Sequence, residues 1–148
     1  MSQMLLLMKI AGCQNVALVD GTARPATATC VTADLTGGTH TIRASYSGNP
    51  NFESSSNTTG QTVERAPTTV TVGGGGSTTY GDTTTFTATI DSTAGSLRGT
   101  VSFSDGTTPI AGCQNLDGSS RVASCTTSAL PAGTRTITAT YSGDGNFE

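Results

Sequence analysis

One stretch of the chain occurs twice. Gly38-Thr-His-Thr-Ile-Arg-Ala-Ser-Tyr-Ser-Gly-Asn-Pro-Asn-Phe52 returns as Gly133-Thr-Arg-Thr-Ile-Thr-Ala-Thr-Tyr-Ser-Gly-Asp-Gly-Asn-Phe147. The copies differ only at His40/Arg135, Arg43/Thr138, Ser45/Thr140, Asn49/Asp144 and Pro50/Gly145. In both, Ile, Ala and Tyr alternate with polar residues, the period of two that marks a strand with one buried face. Ser-Gly-Asn-Pro-Asn or Ser-Gly-Asp-Gly-Asn follows, and these residues end a strand in a turn.

A second repeat lies upstream, where Ile10-Ala-Gly-Cys-Gln-Asn15 recurs unchanged at Ile110-Ala-Gly-Cys-Gln-Asn115. This offset of 100 residues is the size of one β-sandwich domain. From Cys13 the chain passes Val19-Asp-Gly-Thr22 to reach Cys30; from Cys113 it passes Asp117-Gly-Ser-Ser120 to reach Cys125. Asp-Gly between strand-like runs predicts a hairpin in each copy. Ala33-Asp-Leu-Thr-Gly37 and Ala129-Leu-Pro-Ala-Gly133 are corners leading into the repeated strand. Ser54 to Glu64 reads as a closing strand, whose second copy would lie past Glu148.

Arg65-Ala-Pro67 reads as a domain junction. Thr68 to Val72 predicts a strand and Gly73 to Ser77 a flexible break. Thr83 to Ile90 alternates strictly, with Phe86, Ala88 and Ile90 on one face, and Gly99 to Gly106 carries Val101 and Phe103. No window shows a helical period. The expected chain is all-β and antiparallel: residues 1–9 outside the repeats, 10–65 the latter part of one repeat, and 66–148 a repeat lacking its last strand.

Composition narrows the function classes. Hydrophobic residues make up 34% and charged residues 11% of the chain, while Thr occurs thirty times. Thr is β-branched and suits the solvent face of a strand, so a sandwich with a thin core is expected rather than disorder. The net charge is -3 and the six Arg and one Lys are scattered, which argues against a nucleic-acid partner. No apolar run reaches the roughly 20 residues needed to span a bilayer, so membrane insertion is not expected. Met1 to Lys9 is apolar but lacks the basic start, length and cleavage site of a signal peptide. It reads as a leader foreign to the repeats, or alternatively as a short apolar strand substituting for a lost one.

The cysteines fall at equivalent places, Cys13 with Cys30 and Cys113 with Cys125. Structural disulfides are the preferred reading, with free buried thiols and metal ligands as alternatives. A zinc site would want closely spaced ligand pairs, and His40 is the only His. Disulfides point to an exported parent protein. His40 replaces Arg135 on a polar strand face and reads as solvated. Asp144-Gly-Asn-Phe-Glu148 places oxygen ligands at alternate positions, as calcium could use, but Asn49 replaces the first carboxylate in the other copy and a turn is the better reading. Asn57-Thr-Thr59 fits a glycosylation sequon. Gly73 to Gly76 lacks the Lys-Ser/Thr and the helix of a phosphate loop, no nucleophile elbow is present, and an isopeptide bond through Lys9 is a remote option. No catalytic residue, metal site or cofactor is named.

The residues then resemble a family. Gly99-Thr-Val-Ser-Phe103, Asp105-Gly106, Pro109-Ile-Ala-Gly112, Thr126-Thr-Ser-Ala-Leu130 and Ala132-Gly-Thr-Arg-Thr-Ile-Thr-Ala-Thr-Tyr-Ser-Gly-Asp144 are similar to the bacterial Ig-like repeats of secreted and cell-surface proteins. The resemblance covers Pro67 to Glu148 well and Ile10 to Glu64 in part. It implies an immunoglobulin-like antiparallel β-sandwich, an extracellular or cell-surface parent, and a non-catalytic spacer role. The alternative function is adhesive, holding a glycan or protein ligand with or without calcium. A third is fortuitous hydrolysis at a chain–chain interface. Because both repeats lack strands by this inventory, strand exchange into a homodimer is a further expectation.

Overall fold

The computed structural model describes Gln3–Met4 and residues 10–19 and 26–148. The isopeptide option at Lys9, most of the Met1 to Lys9 segment and the tip of the first predicted hairpin lie outside the described residues. The chain forms two compact units, Met1–Glu64 and Arg65–Glu148. No helix occurs in either among the described residues.

In Met1–Glu64 the strands are β1 (Gln3–Met4), β2 (Val16–Ala17), β3 (Gly38–Tyr46) and β4 (Ser55–Val63), forming one sheet in the order β2-β1-β3-β4. β3 and β4 are an antiparallel pair with Gly38 opposite Val63, Ile42 opposite Thr59 and Tyr46 opposite Ser55. Their turn is closed by Asn49, whose amide donates to Phe52 O at 2.8 Å and whose Oδ1 accepts the amides of Asn51 and Phe52, both at 2.9 Å. Its small core is Ile10 and Cys13, with Cys30 and Ile42 against them. β4 is exposed along its length except at Val63.

Arg65–Glu148 is a sandwich. β5 (Thr69–Gly74), β6 (Thr84–Asp91) and β10 (Val122–Thr127) make one sheet in the order β10-β6-β5. The other runs β11-β7-β8, from β7 (Thr100–Asp105), β8 (Thr108–Pro109) and β11 (Ile137–Tyr141), and β9 (Leu116–Asp117) also pairs with β7. The alternating residues read from the sequence supply the core: Phe86, Ala88 and Ile90 from β6 meet Val101 and Phe103 from β7, joined by Leu97, Ile110, Ala123 and Phe147. At about 25 cal/mol per Å² of apolar surface removed from water, these side chains are the main stabilising term.

Met4 pairs with Tyr46 and Val16, as Val101 pairs with Tyr141 and Leu116. Gln3–Met4 thus pairs within the first unit as β7 pairs within the second.

Two sequence expectations are corrected. The Cys113–Cys125 segment is not a hairpin, since β9 pairs with β7 while β10 pairs with β6; the Asp117-Gly118 turn carries the chain from one sheet to the other. The glycine run is not wholly a break either. Gly73 and Gly74 continue β5 opposite Thr87 and Phe86. Gly74 has φ +89° and its missing side chain would collide with Thr85 O, while a Cβ on Gly75 would come within 3.1 Å of the Phe86 ring. The glycines let the backbone lie close over Phe86.

Candidate functional site

Both cysteine pairs are bonded, Cys13–Cys30 and Cys113–Cys125, with Cα atoms 5.3 Å apart in each. In the second unit the bridge joins the two sheets. Cys113 is held to β7 through the Phe103 amide, which donates to Cys113 O at 2.9 Å, and Cys125 lies in β10 opposite Phe86. Both sulfurs are buried in the core. The cysteines are cross-links, with no thiol left for redox or metal chemistry among them.

The Asp144 turn is self-contained. Its Oδ1 accepts the amides of Asn146 (2.7 Å) and Phe147 (3.0 Å), and its Oδ2 accepts the Arg98 amide (2.9 Å) and the Tyr141 hydroxyl (3.5 Å). Desolvation pushes its pKa up, but the hydrogen bonds from Asn146, Arg98, Phe147 and Tyr141 outweigh it and hold the carboxyl below its ordinary value. Asn49 makes the same two amide contacts with its Oδ1. A neutral amide does the same work in the first copy, so what the two copies share is the turn. Asp117 is likewise lowered, by the Ser119 amide and then its hydroxyl.

His40 and Arg135 share one duty. His40 Nε2 donates to Thr36 O at 2.7 Å, and Arg135 donates to Pro131 O at 3.2 Å and Ala132 O at 3.0 Å. Thr36 and Pro131 are equivalent in the repeat, so both side chains fasten the corner before the repeated strand. Arg135 also lies 3.6 Å from Asp105. Asn57 is exposed on β4, its Oδ1 accepting the Thr58 amide.

Two features escaped the sequence. Arg121, at φ +66°, donates to the carbonyls of Ser92, Ala94 and Gly95 and so ties β10 to the loop after β6. No local pattern announces an Arg in left-handed backbone. The other is a groove of about 640 Å³ between the glycine-rich loop after β5 and the corner before β11, lined by Gly75, Tyr80, Phe86, Leu130, Arg135 and Ile137 among others. The glycine run facing the Leu130-Pro-Ala-Gly133 corner was its only signal. Among the described residues, no group of three His, Cys, Asp or Glu side chains converges to hold a metal, and no helix is long and apolar enough to cross a membrane.

The all-β, two-sheet core agrees with what comparison shows. No curated protein and no solved structure gives a significant match to the chain. The family described as bacterial Ig-like domain (group 3) matches residues 66–148, which is more than half of the chain, and the chain belongs to that family.

Proposed function

We propose that the chain is a non-catalytic structural spacer from a bacterial secreted or cell-surface protein. The observation that carries this reading is where its polar chemistry is used. Asp144, Arg135 and His40 are engaged by backbone groups of their own turns and corners, and Arg121 by backbone carbonyls of the loop after β6. Groups tied down in this way hold shape. Two disulfides suit an oxidising, extracellular setting. The test is thermal melting with and without calcium, together with a glycan array. Unchanged melting and a blank array are expected. A saturable calcium-dependent rise in Tm, or a reproducible glycan, would replace the spacer with a binding module.

One observation favours that second reading. Tyr80 is 76% exposed on the loop that lines the groove, and an exposed aromatic ring beside a groove is a common sugar or peptide contact. Tyr80→Ala would then abolish whatever binding the array finds while leaving the melting temperature unchanged.

A further inference from the structure

β10 lies between the two sequence-internal landmarks Arg121 and Thr127 and ends its sheet, with no described strand on its far side. Ile90 donates its amide to Arg121 O, and the same register sets Ala123 on Ala88 and Cys125 on Phe86. Residues 121, 123, 125 and 127 therefore turn their backbone groups toward β6. By the antiparallel alternation, those of Val122, Ser124 and Thr126 point away from the sheet. All three residues are exposed. Val122 O accepts the Ser120 hydroxyl at 2.8 Å, while no described backbone bond from a turn or loop reaches Ser124 or Thr126.

Edges of this kind are ordinarily blunted by charge, proline, a bulge or extreme shortness. The opposite sheet does this beside β7, where β8 and β9 are two residues each, with Pro109 in β8 and Asp117 in β9. β10 has none of these devices. It pairs over six consecutive residues without a bulge, and Val122-Ala-Ser-Cys-Thr-Thr127 contains neither charge nor proline. The stretch tied to it by the Cys113–Cys125 bridge, Ile110 to Asn115, is uncharged as well.

This edge is complementary to itself. Two β10 strands meeting antiparallel about a two-fold axis at Ser124 set Ser124 opposite Ser124, and Val122 opposite Thr126 on both sides of the axis. Val122, 46% exposed, then packs beside a threonine methyl, a cross-strand contact between β-branched side chains. The nearest charge, Arg121, falls opposite Thr127 of the other copy, so no two charges face each other. A charged partner strand would find no counter-ion here, whereas an identical uncharged strand needs none. We propose that β10 is the contact edge for β10 of a second copy of this chain, joining two three-stranded sheets into one six-stranded sheet. Each copy keeps all its own strands, unlike in the exchange expected from the strand inventory. The contact gives the spacer a lateral partner in addition to its place along a chain.

The test uses the full, oxidised chain. Light scattering follows its mass from about 1 μM to about 1 mM, the span over which a small interface dissociates, and amide hydrogen exchange is read at Ser124 and Thr126. A dimer is expected toward the upper end, with those two amides slowed roughly tenfold or more relative to the dilute protein. Ser124→Lys sets two ammonium groups opposite each other and should stay monomeric, as should Ser124→Glu. A mixture of the two variants should pair again. Phe86, Ala88 and Phe103 should stay protected in both, showing that the sandwich remains folded. A monomer at every concentration would overturn the proposal, as would a dimer whose Ser124 and Thr126 amides exchange at the dilute rate. So would a Ser124→Lys protein that still dimerises, or a mixture of the Lys and Glu variants that stays monomeric.

Discussion

The hydroxyl of Tyr141 accepts the amide proton of Gly99 at 3.1 Å, and the tyrosine ring occupies the space a side chain at position 99 would need. Strand β11 and the start of β7 are thereby locked at one point by a hydrogen bond and a steric fit together. Tyr141→Phe keeps the ring but leaves the buried Gly99 N–H without its acceptor, at a cost of about 1–3 kcal/mol. Gly99→Ala drives a methyl group into the ring and into Gly143 O, 2.6 Å away, and should cost at least about 1–3 kcal/mol. Urea titration of both variants checks the pair, with lowered midpoints and unchanged slopes expected.

The Asp144 turn gives the unit an acid dependence whose sign is fixed. Its carboxyl is held below its ordinary value in the folded chain, so on acidification the unfolded chain takes up the proton first. The contribution is complete above the unfolded value and is lost as pH falls through the lower, folded one. Asp144→Asn retains an acceptor like that of Asn49 and cannot titrate. Its melting temperature should therefore fall less than that of the parent below about pH 4. Equal slopes in acid melts would show that the turn is not the titrating element.

Removing the sheet-to-sheet bridge should lower stability by freeing the unfolded chain. Cys113→Ala with Cys125→Ala opens a loop with a sequence separation of 12, for which loop entropy gives about 2–3 kcal/mol. Denaturation of the double variant, with the Cys13–Cys30 bridge intact, measures it. Reductant should lower the stability of the parent in the same transition and leave that of the double variant unchanged there.

The glycine run separates two kinds of glycine. Gly74→Ala must hold a side chain at φ +89° against Thr85 O, and should destabilise by at least about 1–3 kcal/mol. Gly73→Ala, one residue earlier, meets only Thr87 O at 4.0 Å with an ordinary backbone, and should stay within about 0.5 kcal/mol of the parent. A thermal melt of each, side by side, tells the crowded positive-φ position from the ordinary strand position beside it.

How much of this could be read in advance depended on whether the signal was local. Phe86, Ala88 and Ile90 announced their strand because alternation is written in neighbouring residues, and Asn49 and Asp144 announced turns for the same reason. Asp117-Gly118 announced a reversal but not its partner, because turn chemistry does not specify which sheet the next strand joins. Gly74 was misread since its purpose lies in Thr85 and Phe86 across the sheet. Arg121 and the groove carried no local mark at all, because both arise where separate loops converge. The chemistry was legible chiefly as cysteine spacing.

Ala66 lies parallel to Phe147, its amide donating to Asn146 O while Glu148 donates to Ala66 O and the Thr68 hydroxyl donates to Glu148 O. Tension entering at Arg65 and leaving at Glu148 slides these segments past each other instead of peeling them apart. The three bonds take the load simultaneously, and Phe147, 3% exposed, must be drawn from the core as they yield. The Cys113–Cys125 loop lies behind that clasp, cross-linked and out of the path of extension. The unit is therefore mechanically anisotropic, resisting a pull along its own chain direction more than one applied across it.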